Sequence, residues 1–278
     1  MKKILITGKN SYIGTSVETF LSQSEEYDVE TVDMIDGTWK ERSFSGYDVV
    51  FHVAGIAHIK ETRENSDLYY SVNRDLALQT AQKAKEDGVK HFIFLSTMSV
   101  YGIETGRITK QTLPSPKNSY GRSKLQAEEG LLQLADENFV VSLVRPPMVY
   151  GKNCRGNFNS LKSLALKLPA FPAVENARSM IYIDNLSAFI QLLIDRRVGG
   201  LFFPQNRRPV STLRMAEIIA ACCGKKLRKS RLLGFGVKLL GFVPAAKKGF
   251  GSLVYEETED FDYAYCVCDF EESVKKSV

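Results

Sequence analysis

Apolar and polar positions alternate with two periods along the first half of the chain. Short runs rich in Ile, Leu, Val and Phe ("KKILIT", "DVETVDM", "DVVFHVAG", "HFIFLS" and "FVVSLVRPP") predict strands. Between them, "TSVETFLSQS" spaces Val17, Phe20 and Leu21 at helical intervals. "LYYSVNRDLALQTAQKAKEDG" reads as a helix closed by Gly88, and "SKLQAEEGLLQLADE" as another. Strands apolar on both faces, separated by amphipathic helices, predict an α/β fold with a parallel sheet covered on both sides. Beyond about residue 150 the rhythm loosens. Prolines recur at Pro169, Pro172, Pro204, Pro209 and Pro244, and only shorter helical pieces such as "SAFIQLLIDRR" and "LRMAEIIAACCG" remain. The expected organisation is a first domain over residues 1–150 and a smaller α/β lobe over 151–278, interleaved with the first and resting on the sheet's carboxyl edge. Ligands of open α/β sheets bind at that edge.

Composition narrows the class without naming a function. The chain has 278 residues, 44% hydrophobic and 25% charged, which supports a sizeable core and argues against disorder. Its five cysteines, Cys222 and Cys223 adjacent and Cys266 two before Cys268, fit no metal or disulfide framework, so no metal is expected. "MKKILITG" has only a three-residue apolar run, too short for the core of a signal peptide, and the expected location is cytoplasmic. The longest apolar passage, "LLGFGVKLLGFVP", is interrupted by Lys238 and falls short of the roughly 20 residues of a membrane span. It reads as a packed or interfacial helix. Net charge is +5, with the densest basic cluster at "KKLRKSR" from Lys225 to Arg231. No groove-reading motif accompanies that cluster, so a nucleic-acid partner is not expected.

Candidate chemistry starts in "LITGKNSYIGTSVETFL". A glycine turn between a first strand and a first helix points backbone N–H groups and the positive helix end at a diphosphate. Gly8 and Gly14 hold the outer positions of such a turn, while Ser11 occupies the place of its middle glycine and adds a hydroxyl able to donate to a phosphate oxygen. Asn10, Tyr12 and Ile13 complete the turn. Nineteen residues after Gly14, Asp33 ends the second strand, and Met34 and Ile35 follow where an arginine would favour a 2′-phosphate. A carboxylate there accepts from ribose hydroxyls, so the expected cofactor is NAD, with Met34 beside it.

A second constellation adds redox chemistry. "SYGRSKLQAEE" places Tyr120 and Lys124 four apart at the start of a helix, on one face. "FLSTMSVYG" puts Ser96 and Thr97 at the carboxyl end of a strand, with Thr97 placed to hold a substrate oxygen that alternates between alcohol and ketone. Bringing a phenol from its reference pKa of about 10 to about 7 takes roughly 4 kcal/mol. A neighbouring ammonium together with a nicotinamide cation is the expected source.

These segments, with "TGKNSYIG", "DVVFHVAG", "VNRDLALQT", "VRPPMVYG" and "RSMIYIDNLSAFI", resemble the extended short-chain dehydrogenase/reductases, and within them the NAD-dependent epimerase/dehydratase family acting on nucleotide sugars. The resemblance runs from Lys3 to about Asn185. It implies a Rossmann-like doubly wound domain holding NAD, a small substrate lobe, and Thr97, Tyr120 and Lys124 as the catalytic set. It also places Tyr12 and Ile13 along the pyrophosphate, Val53, Ala54, Gly55 and Ile56 beside the adenine-side ribose and diphosphate, Pro147 against the nicotinamide, and Asn73 as a buttress of the strand ends.

Departures from the family pattern narrow the activity. The sugar 4,6-dehydratases carry an Asp-Glu pair after the active-site threonine. Here Met98 and Ser99 stand there, and neither moves a proton for elimination. Pro147 and Met148 in "RPPMVYG" are similar to the branch acting on acetamido sugars, which holds 4-epimerases and 4-ketoreductases. The expected function is epimerisation at C4 of a UDP-hexose or UDP-N-acetylhexosamine. The alternatives are a 4-ketoreductase using the same residues in one direction, and a non-catalytic dinucleotide-binding sensor, against which the intact trio argues. Ser99, Asn157 and Arg178 are the substrate-side candidates. Asn157 opens a helix and Arg178 precedes an apolar run, where the resemblance has a diphosphate-binding arginine; Arg207 and Arg208 are weaker. The resemblance also favours a homodimer built through helices of the first domain.

Overall fold

A computed structural model describes every residue except His58, Lys60, Arg63, Arg155, Gly241, Phe242, Thr258 and Glu259. In chain order the first elements are β1 (Lys2–Thr7), α1 (Tyr12–Leu21), β2 (Tyr27–Val32), β3 (Val49–His52), α2 (Ser66–Tyr70), a π-helical turn (Ser71–Asp75), α3 (Leu76–Glu86), β4 (His91–Leu95), β5 (Gly106–Ile108), α4 (Ser119–Leu134) and β6 (Val140–Val144). There follow β7 (Met148–Tyr150), α5 (Asn157–Lys167), β8 (Phe171–Pro172), β9 (Met180–Tyr182), α6 (Ile183–Arg196), β10 (Gly200–Phe202), α7 (Thr212–Cys222), β11 (Lys229–Ser230), α8 (Arg231–Leu239), α9 (Pro244–Phe250), β12 (Leu253–Tyr255) and α10 (Phe270–Ser277). Among the described residues no helix is long and apolar enough to cross a membrane.

Two compact units divide the chain. The first comprises Met1–Gly102, Pro114–Pro146 and Leu186–Pro204; the second comprises Ile103–Leu113, Pro147–Asn185 and Gln205–Val278. The first is built on a six-stranded sheet of order β10-β6-β4-β3-β1-β2, parallel throughout. Every residue of β3 and β4 is buried, because helices cover both faces of the sheet, and this explains why these strands read as unbroken apolar runs. One side of the core gathers Val50, Phe92, Phe94 and Leu143 from strands, Ala77, Ala81 and Ala84 from α3, and Ala127 and Leu131 from α4. Small alanines at helical spacing let α3 approach the sheet closely.

Strand order matters for function at one place. The chain runs outward from β1 to β2 and then returns to the opposite side of β1 with β3. The carboxyl ends of β1 and β3 therefore flank the topological switch point, where the connections diverge and leave a crevice. The helix expected over residues 68–88 is not a single α-helix: it is divided by the π-helical turn, which carries Asn73 fully buried. An extra residue in one turn rotates the helix locally, and such insertions recur at functional sites.

Among its described residues the second unit holds three small two-stranded parallel sheets, β7 with β9, β8 with β11, and β5 with β12. Its polar core centres on Tyr150, whose hydroxyl lies 2.6 Å from the Ser273 hydroxyl and accepts from the Asn206 amide at 3.0 Å.

Candidate active site

The turn after β1 is shaped by two glycines, each for a different reason. Gly8 adopts φ +85°, and a Cβ there would stand 3.0 Å from the backbone N and Cα of Ala54. The β1 turn thus touches the segment after β3 with no room for a side chain. Gly14 lies in α1, and a Cβ on it would stand 2.5 Å from Ser11 Oγ. Ser11 is the N-cap of α1, its hydroxyl oxygen accepting from Gly14 N–H at 3.2 Å. The serine in the middle position therefore organises the helix start, and its hydroxyl proton stays available to a phosphate. Asn10 takes the left-handed conformation at φ 63°, and Tyr12 and Ile13 open the helix, whose first N–H groups lack intrahelical partners. Asp33, half-buried just past β2, accepts from Ile35 N–H at 2.9 Å. The Met34 side chain packs in the core cluster.

The second group converges on the carboxyl end of β4. Thr97 caps the short 3₁₀ turn Met98–Tyr101, its Oγ1 accepting from the N–H of the exposed Ser99 at 3.1 Å. The Thr97 side chain lies beside the Tyr120 phenol and favours its ionised form. Burial pushes Tyr120 above its ordinary value; Thr97 opposes this and the nearby Tyr69 adds to it. The Tyr69 and Tyr120 rings lie 6.4 Å apart. Lys124 is buried, donates to the Leu95 carbonyl at 2.9 Å, and stands 4.5 Å from the centre of the Phe94 ring. Burial lowers its pKa to about 8, with Glu128 pulling the other way. The sequence led us to expect an ammonium together with a nicotinamide cation to lower the tyrosine's pKa; among the protein's own groups burial outweighs Thr97, and the phenol stays raised.

A buried polar frame supports these groups. Asn73 Oδ1 accepts from Ile56 N–H at 2.8 Å, and its amide donates to Ile56 O at 3.1 Å and Ser123 Oγ at 3.2 Å. It clamps the segment after β3, which contains Val53, Ala54, Gly55 and Ile56, to α4. A Cβ on Gly55 would stand 2.8 Å from Asn73 Oδ1 and 3.3 Å from Lys124 Nζ. Ser96 is buried, and its hydroxyl donates to Glu128, which pairs with Arg145 through a 2.9 Å bond from Nε to Oε1. Arg145 also donates to the Tyr101 hydroxyl at 2.7 Å. The Ser96 side chain is part of this frame. Sequence reasoning passed over Glu128 and Arg145. The available signal was Glu128 falling four after Lys124 and eight after Tyr120, on one helical stripe.

Residues 4–197 match the NAD dependent epimerase/dehydratase family. The chain belongs to this family. A UDP-glucose 4-epimerase of Vibrio cholerae is 32% identical over 251 residues, covering 81% of this chain and 76% of that protein. Among solved structures, a UDP-glucuronic acid 4-epimerase from Bacillus cereus in complex with NAD has TM-score 0.75 at 18% identity, covering 99% of this chain and 95% of the other. A dTDP-4-dehydrorhamnose reductase from Bacillus anthracis str. Ames in complex with NADP has TM-score 0.73 at 21% identity, covering 99% and 98%. Both show that the fold is shared. As a member of the family, the chain is an enzyme of nicotinamide-dinucleotide chemistry, and its glycine turn fits such a ligand. At Gly8 a Cβ would close the approach to Ala54, and at Gly55 it would fill the space between Asn73 and Lys124.

The remaining candidates belong to the second unit. Pro147 is buried. Asn157 is the exposed first residue of α5, and the cap position before it is Gly156 at φ 99°, with no side-chain cap. Arg178 is half-buried and donates to the carbonyls of Gly251 at 2.7 Å and Lys247 at 3.4 Å. Burial alone lowers its pKa. Arg207 and Arg208 are both exposed.

Proposed function

We propose that this enzyme is an NAD-dependent epimerase acting at C4 of a UDP-hexose or UDP-N-acetylhexosamine. The observation that carries the reading is the convergence of Thr97, the Tyr120 phenol and the buried Lys124 at the carboxyl end of β4. The Vibrio cholerae relative, a UDP-glucose 4-epimerase, supports the choice of substrate class. Asp33, without an arginine after it, favours NAD over NADP.

In this reading Tyr120 accepts the proton of the sugar's 4-hydroxyl and returns it after the sugar has presented its other face. Thr97 holds the same oxygen and favours the ionised phenol. Bound dinucleotide supplies the two-electron acceptor, and afterwards the donor, together with positive charge that offsets the raised phenol pKa. Lys124, fixed on the Leu95 carbonyl beside Gly55, is placed to hold a ribose hydroxyl and to contribute its charge. Met98 and Ser99 furnish no acid and base for water loss, so dehydration is not part of the reading. Arg178, a half-buried guanidinium bonded to carbonyls, is suited to a diphosphate. The same reading expects a homodimer through helices of the first unit, and a cytoplasmic location.

The test is incubation of the purified enzyme with NAD in catalytic amount and a panel of UDP-sugars, with 4-epimers followed by proton NMR. Epimer formation without net reduction of NAD is the expected result. Turnover only of 4-keto sugars, with stoichiometric NADH consumption, would identify a 4-ketoreductase. Binding of NAD without any turnover would identify a sensor. Calorimetric titration should show tighter binding of NADH than of NADPH; the reverse preference would remove Asp33 from cofactor selection.

A further inference from the structure

We propose that α8, with the basic segment that precedes it, docks this protein on the surface of an anionic lipid bilayer. The inference stands independently of the sugar chemistry. In α8, Leu232, Phe235 and Leu239 recur at spacings of three and four, so they share one face, and that face is turned to solvent: their exposures are 79%, 60% and 63%. The helix rests on its own unit through the opposite side. Gly234 is its buried residue, and a Cβ there would stand 2.4 Å from the Ala173 carbonyl oxygen. Ser230 caps the first turn by accepting from Leu233 N–H at 3.2 Å, which fixes where the helix begins. An ordinary surface helix buries its apolar stripe. This one has the reverse arrangement, and exposed Leu233 and Leu240 widen the patch.

Charge says what the patch meets. From residue 218 to residue 255 the sequence contains eight Lys and Arg and no Asp or Glu, exceeding the net +5 of the entire chain. Lys226, Arg228, Arg231 and Lys238 are exposed before and along α8. Leucine and phenylalanine on one face with basic side chains beside them fit the boundary between lipid headgroups and acyl chains, with negative headgroups meeting the cations. A second copy is a poorer partner, because a two-fold interface sets the same basic surface against itself. At nine residues α8 is far too short to span a bilayer, so the association is interfacial.

Flotation of the whole protein with phosphatidylcholine vesicles, with and without about 30 mol% phosphatidylglycerol, tests this. The expected result is co-flotation with the anionic vesicles only, weakened by salt. Replacing Leu232, Phe235 and Leu239 together by serine should lower the bound fraction about tenfold or more, with an unchanged melting temperature because the side chains lie outside the core. Changing Lys226, Arg228, Arg231 and Lys238 to glutamine should have a similar effect. Absence of flotation at low salt, equal flotation with neutral vesicles, or a triple-serine variant that floats like the parent would each overturn the proposal. So would light scattering that shows a dimer dissociated by the triple substitution, since the face would then belong to a second copy.

Discussion

Tyr120 carries the residue-scale argument, because its burial and its partner act in opposite directions. Burial raises the phenol's pKa, and Thr97 acts in the opposite direction. Removing the hydroxyl in Tyr120→Phe keeps the ring against Tyr69 and takes away the group to which the proposed mechanism assigns proton transfer. Turnover should fall by about 10²- to 10⁴-fold while calorimetric NAD affinity changes little. Unchanged turnover would place the proton transfer elsewhere. Arg178 offers a second test. Its guanidinium braces the carbonyls of Lys247 and Gly251, so a purely structural role predicts that Arg178→Ala lowers the melting temperature alone. The diphosphate role predicts in addition a loss of about 1.5 to 3 kcal/mol in UDP affinity, with NAD affinity intact. Both residues stood out in the sequence for their motifs. Their partners did not: nothing in "NARSMIYIDN" indicates that Arg178 reaches carbonyls some seventy residues away.

At the scale of elements, α4 is the organising piece. Tyr120, Lys124 and Glu128 lie at successive four-residue steps along one stripe, and each meets a different group: Thr97, the Leu95 carbonyl, and the Arg145 guanidinium. The sequence made the first two visible as a motif. Glu128 looked like one of several charged helix residues, because only the packing of α4 beside β4 and β6 turns it inward. Glu128→Ala would remove the carboxylate that pairs with the buried Arg145 guanidinium. The expected destabilisation is about 3 to 5 kcal/mol, read by chemical denaturation. Replacing both Glu128 and Arg145 by apolar residues of similar volume should cost clearly less than the sum of the single changes. Additive losses would show that the two side chains act separately. The π-helical turn between α2 and α3 was equally hidden, since its residues have ordinary helical composition; what it accomplishes, the seating of Asn73 against Ile56 and Ser123, is a tertiary matter.

For the molecule as a whole, the buried His52 and His91 contribute to the response to acid. His52 bonds Thr7 through Nδ1 at 3.0 Å, and burial lowers its pKa to about 3; His91, 2.7 Å from Ser142 Oγ, is lowered to about 4 by burial, with Arg197 and Lys2 adding to the effect. Both folded values lie below the unfolded value of 6.5, so the unfolded chain binds more protons between about pH 3 and 6.5. The stability these groups contribute is complete above pH 6.5 and is lost as pH falls, by about 2 kcal/mol per histidine between pH 7 and 5. Denaturant unfolding at the two pH values should show that loss, and His91→Gln should reduce it by about half; an identical pH dependence in the variant would assign the acid sensitivity to other groups. The sequence by itself determined the parallel α/β sheet, the glycine turn and the Thr, Tyr and Lys set, because strand periodicity, the need for φ > 0 and helical spacing are local rules written in consecutive residues. Only the tertiary structure decided that Ser96 and Met34 turn into the frame and the core, that Lys124 is held on Leu95, that Glu128 finds Arg145, and that α8 keeps its apolar face outward. Each of those outcomes depends on which distant segment the fold brings alongside, and burial and pairing there set the energies.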